Sequence, residues 1–289
     1  MKLEGKVAVV TGANTGIGFC TVGELARRGA TVVMACRNIE RAKAAKQLLL
    51  SRYGTTNAEW MKIDVADPSV EASLTPIEDH QLIPEKLDLA SLQSVRQFAH
   101  RILKAYSSIH LLINNAGQIL STYSRTKDGF EMTLGVNHLG HFLLTELMLP
   151  ALKAAAPSRI IIVSSIAHKW GQLYKPDLQM TDQNYGYLRA YSSSKLINVM
   201  HAIELSKRLE GTNVTVLWHL RFLRPLSISA WEGTQTTLYT VLVEHPKPGG
   251  YYSNCALTSP KAIAHNEQER KFAWDRSCEL VGLPKYSVL

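Results

Sequence analysis

Hydrophobic and polar positions follow two different periods along this chain. Short runs rich in valine and isoleucine predict buried strands of a parallel sheet, and the longer amphipathic stretches between them predict helices. We predict strands at 6–11, 31–35, 59–65, 110–114, 159–164, 213–219 and 250–253. We predict helices at about 18–28, 39–52, 91–105, 128–155, 188–210, 234–243 and 267–282. This alternation predicts an α/β fold with a doubly wound parallel sheet, whose ligands lie beyond the carboxyl ends of the strands.

One stretch interrupts the alternation. Between about residues 67 and 85, three prolines stand among acidic residues and disfavour a continuous helix or strand. We interpret it as a surface insertion within a single domain of residues 1–289. Two similar segments flank it, KIDVA at 62–66 and KLDLA at 86–90. The first belongs to the better strand pattern and the second leads directly into the next helix, so both stay open as the end of the third strand.

The composition suits one globular domain and argues against several classes of protein. Of 289 residues, 46% are hydrophobic, yet no apolar run reaches the roughly 18 residues of a membrane span, so no transmembrane anchor is expected. Four cysteines without CxxC spacing indicate a reducing, cytoplasmic setting. The net charge of +8 is not gathered into a basic stripe with aromatics, so no nucleic-acid partner is expected. His138 and His141 lack a third ligand at metal-like spacing, which favours structural roles and no metal site.

A glycine-rich loop follows the first predicted strand and opens the first predicted helix. In the sequence TGANTGIG at 11–18, Gly12 suits a tight turn, Gly16 lets the backbone approach a phosphate, and Gly18 allows close helix packing. This context predicts a Rossmann-type dinucleotide site. The loop residues expected to contact the cofactor are Gly12, Asn14, Thr15, Gly16, Ile17 and Gly18.

The end of the second predicted strand bears on the choice of dinucleotide. An acidic residue there would bind the ribose 2′-hydroxyl of NAD, but the chain reads Ala-Cys-Arg-Asn at 35–38. Arg37 offers a planar, permanently charged group suited to a phosphate. We therefore expect NADP(H) as the cofactor.

Tyr191 and Lys195 are spaced four residues apart at the start of a predicted helix, which places them on one face. Reduction of a carbonyl needs a proton donor beside the oxygen that gains charge. A nearby ammonium favours the phenolate and lowers the pKa of a tyrosine, which brings it closer to neutral pH. The pair therefore suits acid–base chemistry, although this spacing is common by chance.

Five motifs together resemble the classical short-chain dehydrogenase/reductases, in the order of that family. They are the glycine loop, the NNAG segment with Asn115, Ala116 and Gly117, the helical Asn137, Ser165 after a strand, and Tyr191 with Lys195. The resemblance covers nearly all of residues 5–217 outside the insertion, and then about 231–283.

The resemblance implies a role for each matching residue. Tyr191 is expected to be the general acid/base, with Lys195 lowering its pKa and holding the nicotinamide ribose. Ser165, the second of two adjacent serines, is expected to bind the substrate oxygen. Asn137 is expected to hold a water that links Lys195 to solvent. Asn115 to Gly117 are expected to line the adenosine-ribose side of the cofactor.

More narrowly, several segments are similar to the retinol dehydrogenase branch, among them GVNHLGHF at 135–142 and VSSIAH at 163–168. In that branch the Asp of a Leu-Asp-Leu segment lies near the adenine, and both Asp64 and Asp88 match this pattern. The chain departs from the branch after His219, where the usual Pro-Gly turn is absent and the substrate lid is shortened, at about 220–231. Many relatives carry a hydrophobic N-terminal anchor, which is not expected in this sequence.

The resemblance implies an NADP(H)-dependent enzyme that interconverts a lipophilic alcohol and its aldehyde or ketone, with retinoids among the candidate substrates. The shortened lid keeps an alternative open, an NADP(H)-binding variant with weak or no catalysis. A third reading, a scaffold that recruits a partner through its insertion, has less in its favour. The resemblance leaves open a homo-oligomer and peripheral contact with the cytosolic face of a membrane.

Overall fold

A computed structural model describes residues 2–53, 76–221 and 230–285. The strands are β1 (Val7–Thr11), β2 (Thr31–Cys36), β3 (Leu82–Lys86), β4 (Leu111–Asn114), β5 (Ser158–Ser165), β6 (Val214–Arg221), β7 (Tyr251–Ser253) and β8 (Ala256–Thr258). The longer helices are α1 (Gly16–Ala26), α2 (Ile39–Tyr53), α3 (Leu92–Ala105), α4 (Gly140–Ala154), α5 (Tyr187–Arg208), α6 (Ala230–Leu242) and α7 (Glu267–Val281). Among these residues the strands form one sheet in the order β3-β2-β1-β4-β5-β6-β7-β8.

The sheet confirms the predicted doubly wound architecture. Every neighbouring pair is parallel except β7 with β8, which are antiparallel. From β1 the order runs to β2 and β3 on one side and to β4 on the other, so the direction of winding reverses between β1 and β4. A ligand crevice is expected beyond the carboxyl ends of these two strands.

Helices cover both faces of the sheet because strand side chains alternate between the faces. On β1, Val9 packs with a cluster supplied by α3, α4, α5 and α7. Its neighbours Ala8 and Val10 pack with the opposite cluster, supplied by α1, α2 and α6. The strands are therefore buried on both sides, which explains their nearly continuous apolar sequences.

The third strand of the described sheet ends at Lys86, the first residue of the second candidate segment. β3 pairs with β2 from Val32↔Leu82 to Cys36↔Lys86, and Leu82 is fully buried. The last residues of the predicted insertion therefore belong to the sheet, and Pro84 is accommodated within β3, which has only one described neighbour strand. The predicted strand at 59–65 lies outside the described residues.

The single helix predicted for 128–155 is wrong at its start. Gly129 has φ +87°, and the Glu131 carboxylate caps a one-turn helix, Met132–Leu134, by accepting hydrogen bonds from the backbone N–H groups of Thr133 and Leu134 at 2.6 and 2.9 Å. A π-helical turn, Gly135–Leu139, then joins it to α4. Such turns are rare and frequently mark functional sites.

The boundaries on either side of residues 222–229 also differ from the sequence prediction. β6 continues two residues past His219, and its final pair is Ser165↔Arg221. The first two residues of the predicted lid region are therefore strand, and its last two, Ala230 and Trp231, begin α6. Residues 222–229 lie outside the described part of the chain.

Candidate functional site

A cleft with a volume of about 360 Å³ opens at the carboxyl ends of β1 and β4. It lies where the winding of the sheet reverses. Its walls bring together nearly all residues predicted to bind the cofactor, namely Gly12, Asn14, Thr15, Gly16, Ile17, Gly18, Arg37, Asp88, Asn115, Ala116 and Gly117. Asp64 lies outside the described residues, and Tyr191 and Lys195 are not among the cleft's lining residues.

The glycines of the loop are required for two different structural reasons, backbone conformation and close packing. Gly12 and Gly16 have φ values of +65° and +58°, which favour glycine because other residues rarely adopt them. A Cβ at Gly18 would overlap the carbonyl oxygen of Gly12 and lie 2.6 Å from Nδ2 of Asn115. The loop therefore forms a cradle of bare backbone at the start of α1, which suits a pyrophosphate.

Thr11 connects the glycine loop with the NNAG segment. Its hydroxyl accepts hydrogen bonds from the backbone N–H groups of Asn115 and Ala116, both at 2.9 Å. In return, Nδ2 of Asn115 donates to the Thr11 carbonyl at 2.8 Å. The ends of β1 and β4 are thereby fixed to one another. Sequence reasoning gave Thr11 no role, because a threonine at a strand end has no distinctive pattern.

Of the two residues expected near the adenine, Asp64 and Asp88, only Asp88 is among the described residues. Asp88 lies two residues after the end of β3 and lines the cleft. Its Oδ1 accepts from the Ala90 backbone N–H at 3.1 Å, and its Oδ2 lies 3.4 Å from Nζ of Lys127. Asp88 therefore lies in the wall of the cleft, in contact with the start of the next helix and with Lys127.

Tyr191 and Lys195 lie on the first half of α5, and both are almost completely buried. The Lys195 ammonium donates to the Val163 carbonyl at 3.0 Å and lies 5.7 Å from the centre of the Tyr191 ring. Four residues apart on a helix, they share a face as predicted. A Cβ at Gly117 would lie 3.4 Å from Nζ of Lys195, so the NNAG segment passes close to this ammonium.

Asn137 joins the π-helical turn to α5. Its Nδ2 donates to Oγ of Ser194, between Tyr191 and Lys195, at 3.1 Å and to the Gln118 carbonyl at 2.9 Å. Its Oδ1 accepts from the Gln118 backbone N–H at 2.8 Å. Gln118 and Ser194 had no predicted role, and only their positions beside the NNAG and YxxxK motifs could have suggested them.

Ser165 ends β5 and is fully buried. Its Oγ accepts from the Ala167 backbone N–H at 3.2 Å, which leaves its hydroxyl hydrogen for another acceptor. The competing serine, Ser164, instead donates to the Lys195 carbonyl at 2.9 Å. The two serines thus point to different tasks, and Ser164 supports α5.

The buried histidines have structural partners. Burial lowers the pKa of His141 to about 3, and the hydrogen bond with the Asn137 carbonyl opposes part of this shift. Burial likewise lowers the pKa of His138 to about 4. His138 lies 3.2 Å from Oδ1 of Asn198 and 2.8 Å from Oγ of Ser277. Among the described residues, no group of three or more potential ligands is arranged for a metal ion.

Similarity to known proteins assigns the chain to a family. The model of the short chain dehydrogenase family matches residues 6–75 and 70–218. The chain belongs to the short-chain dehydrogenase family. It is therefore an oxidoreductase of the kind that acts on alcohols and carbonyls with a nicotinamide cofactor.

Within this family the chain belongs to the retinol dehydrogenase-like branch. It is 40% identical to retinol dehydrogenase 12 of Bos taurus over 306 residues, covering 98% of this chain and 88% of the relative. It is also 40% identical to retinol dehydrogenase 11 of Mus musculus over 305 residues, covering 98% and 89%. A crystal structure of an uncharacterised protein from Mycobacterium paratuberculosis superposes with a TM-score of 0.79 at 31% identity, covering 98% of this chain and 95% of that chain.

Within residues 2–53, 76–221 and 230–285, no helix is both long enough and apolar enough to span a bilayer.

Proposed function

We propose that this chain is an NADP(H)-dependent oxidoreductase that interconverts a lipophilic alcohol and its aldehyde or ketone, with retinoids among the candidate substrates. The observation that carries the proposal is the buried arrangement on α5. Tyr191 and Lys195 share one face of this helix, and Asn137 hydrogen-bonds to Ser194 between them. Helices hold their side chains in register, and acid–base chemistry depends on such positioning.

The proposed proton donor is the Tyr191 hydroxyl. When a carbonyl gains hydride, its oxygen gains negative charge, and a phenol beside it can supply the proton. The Lys195 ammonium, close to the same ring, favours the phenolate form and therefore assists the transfer. Ser165 has a hydroxyl hydrogen available and is the proposed second donor to the substrate oxygen.

The cofactor assignment rests on the fit between the cleft and a dinucleotide. The cradle at Gly12, Gly16 and Gly18 presents bare backbone that a Cβ at Gly18 would fill, and α1 begins there. A helix N-terminus with open backbone N–H groups suits a pyrophosphate. The nicotinamide cofactor, when bound, supplies or accepts the hydride.

The preference for NADP(H) over NAD(H) rests on charge at the end of β2. Arg37 lines the cleft, is exposed, and has no ion pair among the described residues. No carboxylate occupies the positions just after β2, where an acidic residue would bind the ribose hydroxyl and repel a phosphate. The position therefore favours the 2′-phosphate.

The proposed lipophilic substrate is supported by the similarity to retinol dehydrogenases and by exposed apolar side chains. Ile119, Trp170, Tyr187 and Leu188 are exposed, and Trp170 and Leu188 are 68% and 58% accessible. Each lies within a few residues of a proposed catalytic or cofactor-binding residue along the chain. Exposed apolar side chains beside the proposed site are suited to contact an apolar ligand.

The experiment is to titrate the purified protein with NADPH by fluorescence and then to follow NADPH consumption with retinal and with short and long aldehydes. The proposal predicts binding and turnover, with faster turnover of the longer, more apolar aldehydes. Binding without turnover of any carbonyl would instead support the alternative of an NADP(H)-binding variant without catalysis, in which the shortened lid fails to hold a substrate.

A further inference from the structure

A second cleft, with a volume of about 450 Å³, adjoins the cofactor cleft. The two share Arg37 and Asp88 in their walls. The second cleft also contains three further cations, Lys86, Arg101 and Lys127, beside neutral hydrogen-bonding side chains from the start of α3. We name it the basic pocket. It extends the cofactor cleft away from the glycine loop, past the end of β2.

Ion pairs occupy two of the four cations. Lys127 lies 3.4 Å from the Asp88 carboxylate, the only carboxylate among the described residues that line the basic pocket. Arg101 lies 3.2 Å from the Glu85 carboxylate and donates to the Lys86 carbonyl at 2.8 Å. Within each of these two pairs, the positive and negative charges largely offset one another. Neither Lys86 nor Arg37 has an ion-pair partner within the described part of the chain.

Strand register explains why these two cations line the same pocket. Cys36, the last residue of β2, pairs with Lys86, the last residue of β3. Arg37 follows Cys36 directly, so both side chains emerge where two adjacent strands end. Neighbouring strands lie roughly 4.8 Å apart, which is well within the reach of an arginine and a lysine side chain. Since both side chains also line the basic pocket, one phosphate held there can contact both.

We propose that Lys86 and Arg37 together bind the 2′-phosphate of the cofactor, and that Lys86 is a second determinant of NADP(H) specificity. The inference rests on the proposed NADP(H) function and adds a residue to it. A phosphate monoester carries about −1.5 to −2 charges near pH 7. The two cations left without carboxylate partners match that charge, whereas Arg37 alone would leave part of it uncompensated.

Asp88 does not oppose this arrangement. Its carboxylate already faces Lys127 and accepts the Ala90 backbone N–H. The charge that would repel a phosphate is therefore partly balanced within the basic pocket. In this arrangement Asp88 faces the adenosine side of the cofactor, and Arg37 and Lys86 at the strand ends bind the phosphate.

The test compares dissociation constants of NADPH and NADH for the full chain, measured by fluorescence titration at one fixed salt concentration. The variants are Lys86→Gln, Arg37→Gln and the control Lys271→Gln, which removes the same charge from an exposed position on α7. Lys86→Gln should weaken NADPH roughly five- to tenfold and leave NADH unchanged, because NADH has no 2′-phosphate to lose contact with. Lys86→Arg should retain most of the preference for NADPH, since it keeps the charge.

Unchanged NADH binding also shows that each variant is folded. If the unmodified chain prefers NADPH and Arg37→Gln abolishes the preference, but Lys86→Gln behaves like Lys271→Gln, the inference about Lys86 is wrong and the proposed function stands. If the unmodified chain binds NADH as well as or better than NADPH, the proposed cofactor is wrong, and the role of Lys86 is overturned with it.

Discussion

The hydroxyl of Thr11 lies 2.8 Å from Nε2 of His141, and this contact joins the nucleotide loop to the helix that follows Asn137. On the other side of the ring, Nδ1 of His141 lies 3.2 Å from the Asn137 carbonyl. A carbonyl only accepts, so Nδ1 carries the hydrogen, and Nε2 of the neutral ring accepts from Thr11. One buried imidazole therefore connects the proposed cofactor site with the proposed catalytic asparagine.

Thr11→Val should destabilise the protein, because valine has nearly the same shape but cannot accept the backbone N–H groups of Asn115 and Ala116. The Asn115 N–H keeps the Ile113 carbonyl as an acceptor at 3.0 Å, but the Ala116 N–H and Nε2 of His141 lose their contacts with the Thr11 hydroxyl. This loss should cost about 2 kcal/mol in the free energy of unfolding. Urea denaturation measures this. Thr215→Val on β6 is the control, since Thr215 is only partly buried. Equal, small losses for both variants would contradict the role of Thr11.

The buried histidines should make stability depend on pH. Burial lowers the pKa values of His138 to about 4 and of His141 to about 3, and it places that of His201 well below its usual value. Between the ordinary pKa of about 6.5 and these lowered values, the unfolded chain binds more protons than the folded one. The free energy of unfolding should therefore fall as the pH drops below about 6.5.

His201→Phe provides the corresponding variant. Nε2 of His201 is buried without a hydrogen-bond partner, and its ring packs against Phe142 and Trp274. A phenylalanine keeps these ring contacts and cannot be protonated. Urea denaturation of the variant at pH 7 and pH 5 should show a smaller loss of stability than the unmodified chain. An equal loss would show that His201 does not contribute to the pH dependence.

Gly18→Ala should abolish cofactor binding. The added Cβ would overlap the Gly12 carbonyl oxygen and crowd Nδ2 of Asn115, so the cradle must open. Fluorescence titration with NADPH measures the effect. The control is Gly5→Ala, at a position with φ +71° and nothing within 4 Å of the added Cβ. It should cost stability through backbone strain but leave NADPH affinity intact, and undiminished affinity in Gly18→Ala would refute the cradle.

Arg159→Met should loosen the attachment of α6. The Arg159 guanidinium donates to the carbonyls of Thr240, Val241 and Val243, at 2.9, 2.7 and 2.6 Å, and so caps the end of this helix. Losing these bonds should lower the free energy of unfolding by about 2 kcal/mol, and Arg159→Lys should lose less. Thermal denaturation of both variants tests this. A methionine variant as stable as the unmodified chain would show that the cap contributes little.

The fold could largely be predicted from the sequence because its strands are buried on both faces. Apolar runs such as Ile160 to Val163 leave few alternatives to a parallel sheet, and β5 forms there. β3 was harder, because Pro84 disfavours a strand and the 59–65 segment has a more regular pattern. Pairing with β2 decided its position, and pairing depends on tertiary contacts that a local pattern does not contain. The antiparallel β8, three exposed residues long, left no apolar signal.

The candidate site was predictable where motifs mark it and not elsewhere. The glycine loop, the NNAG segment and the pair Tyr191 and Lys195 stand out by spacing. The partners that hold them do not, because Gln118, Ser194 and His141 act through single contacts between residues distant in sequence. Lys86 was given no role from the sequence, since its position beside Arg37 depends on the register of β2 and β3.

The proton-donor role of Tyr191 is the central claim, and its most direct test is the turnover number of Tyr191→Phe with saturating NADPH and the best aldehyde substrate. The control is Tyr239→Phe, which removes a hydroxyl from an exposed ring on α6. The account predicts that Tyr191→Phe loses at least about a hundredfold in turnover while it still binds NADPH, and that Tyr239→Phe keeps its activity. Turnover by Tyr191→Phe at the rate of the unmodified chain would contradict the account.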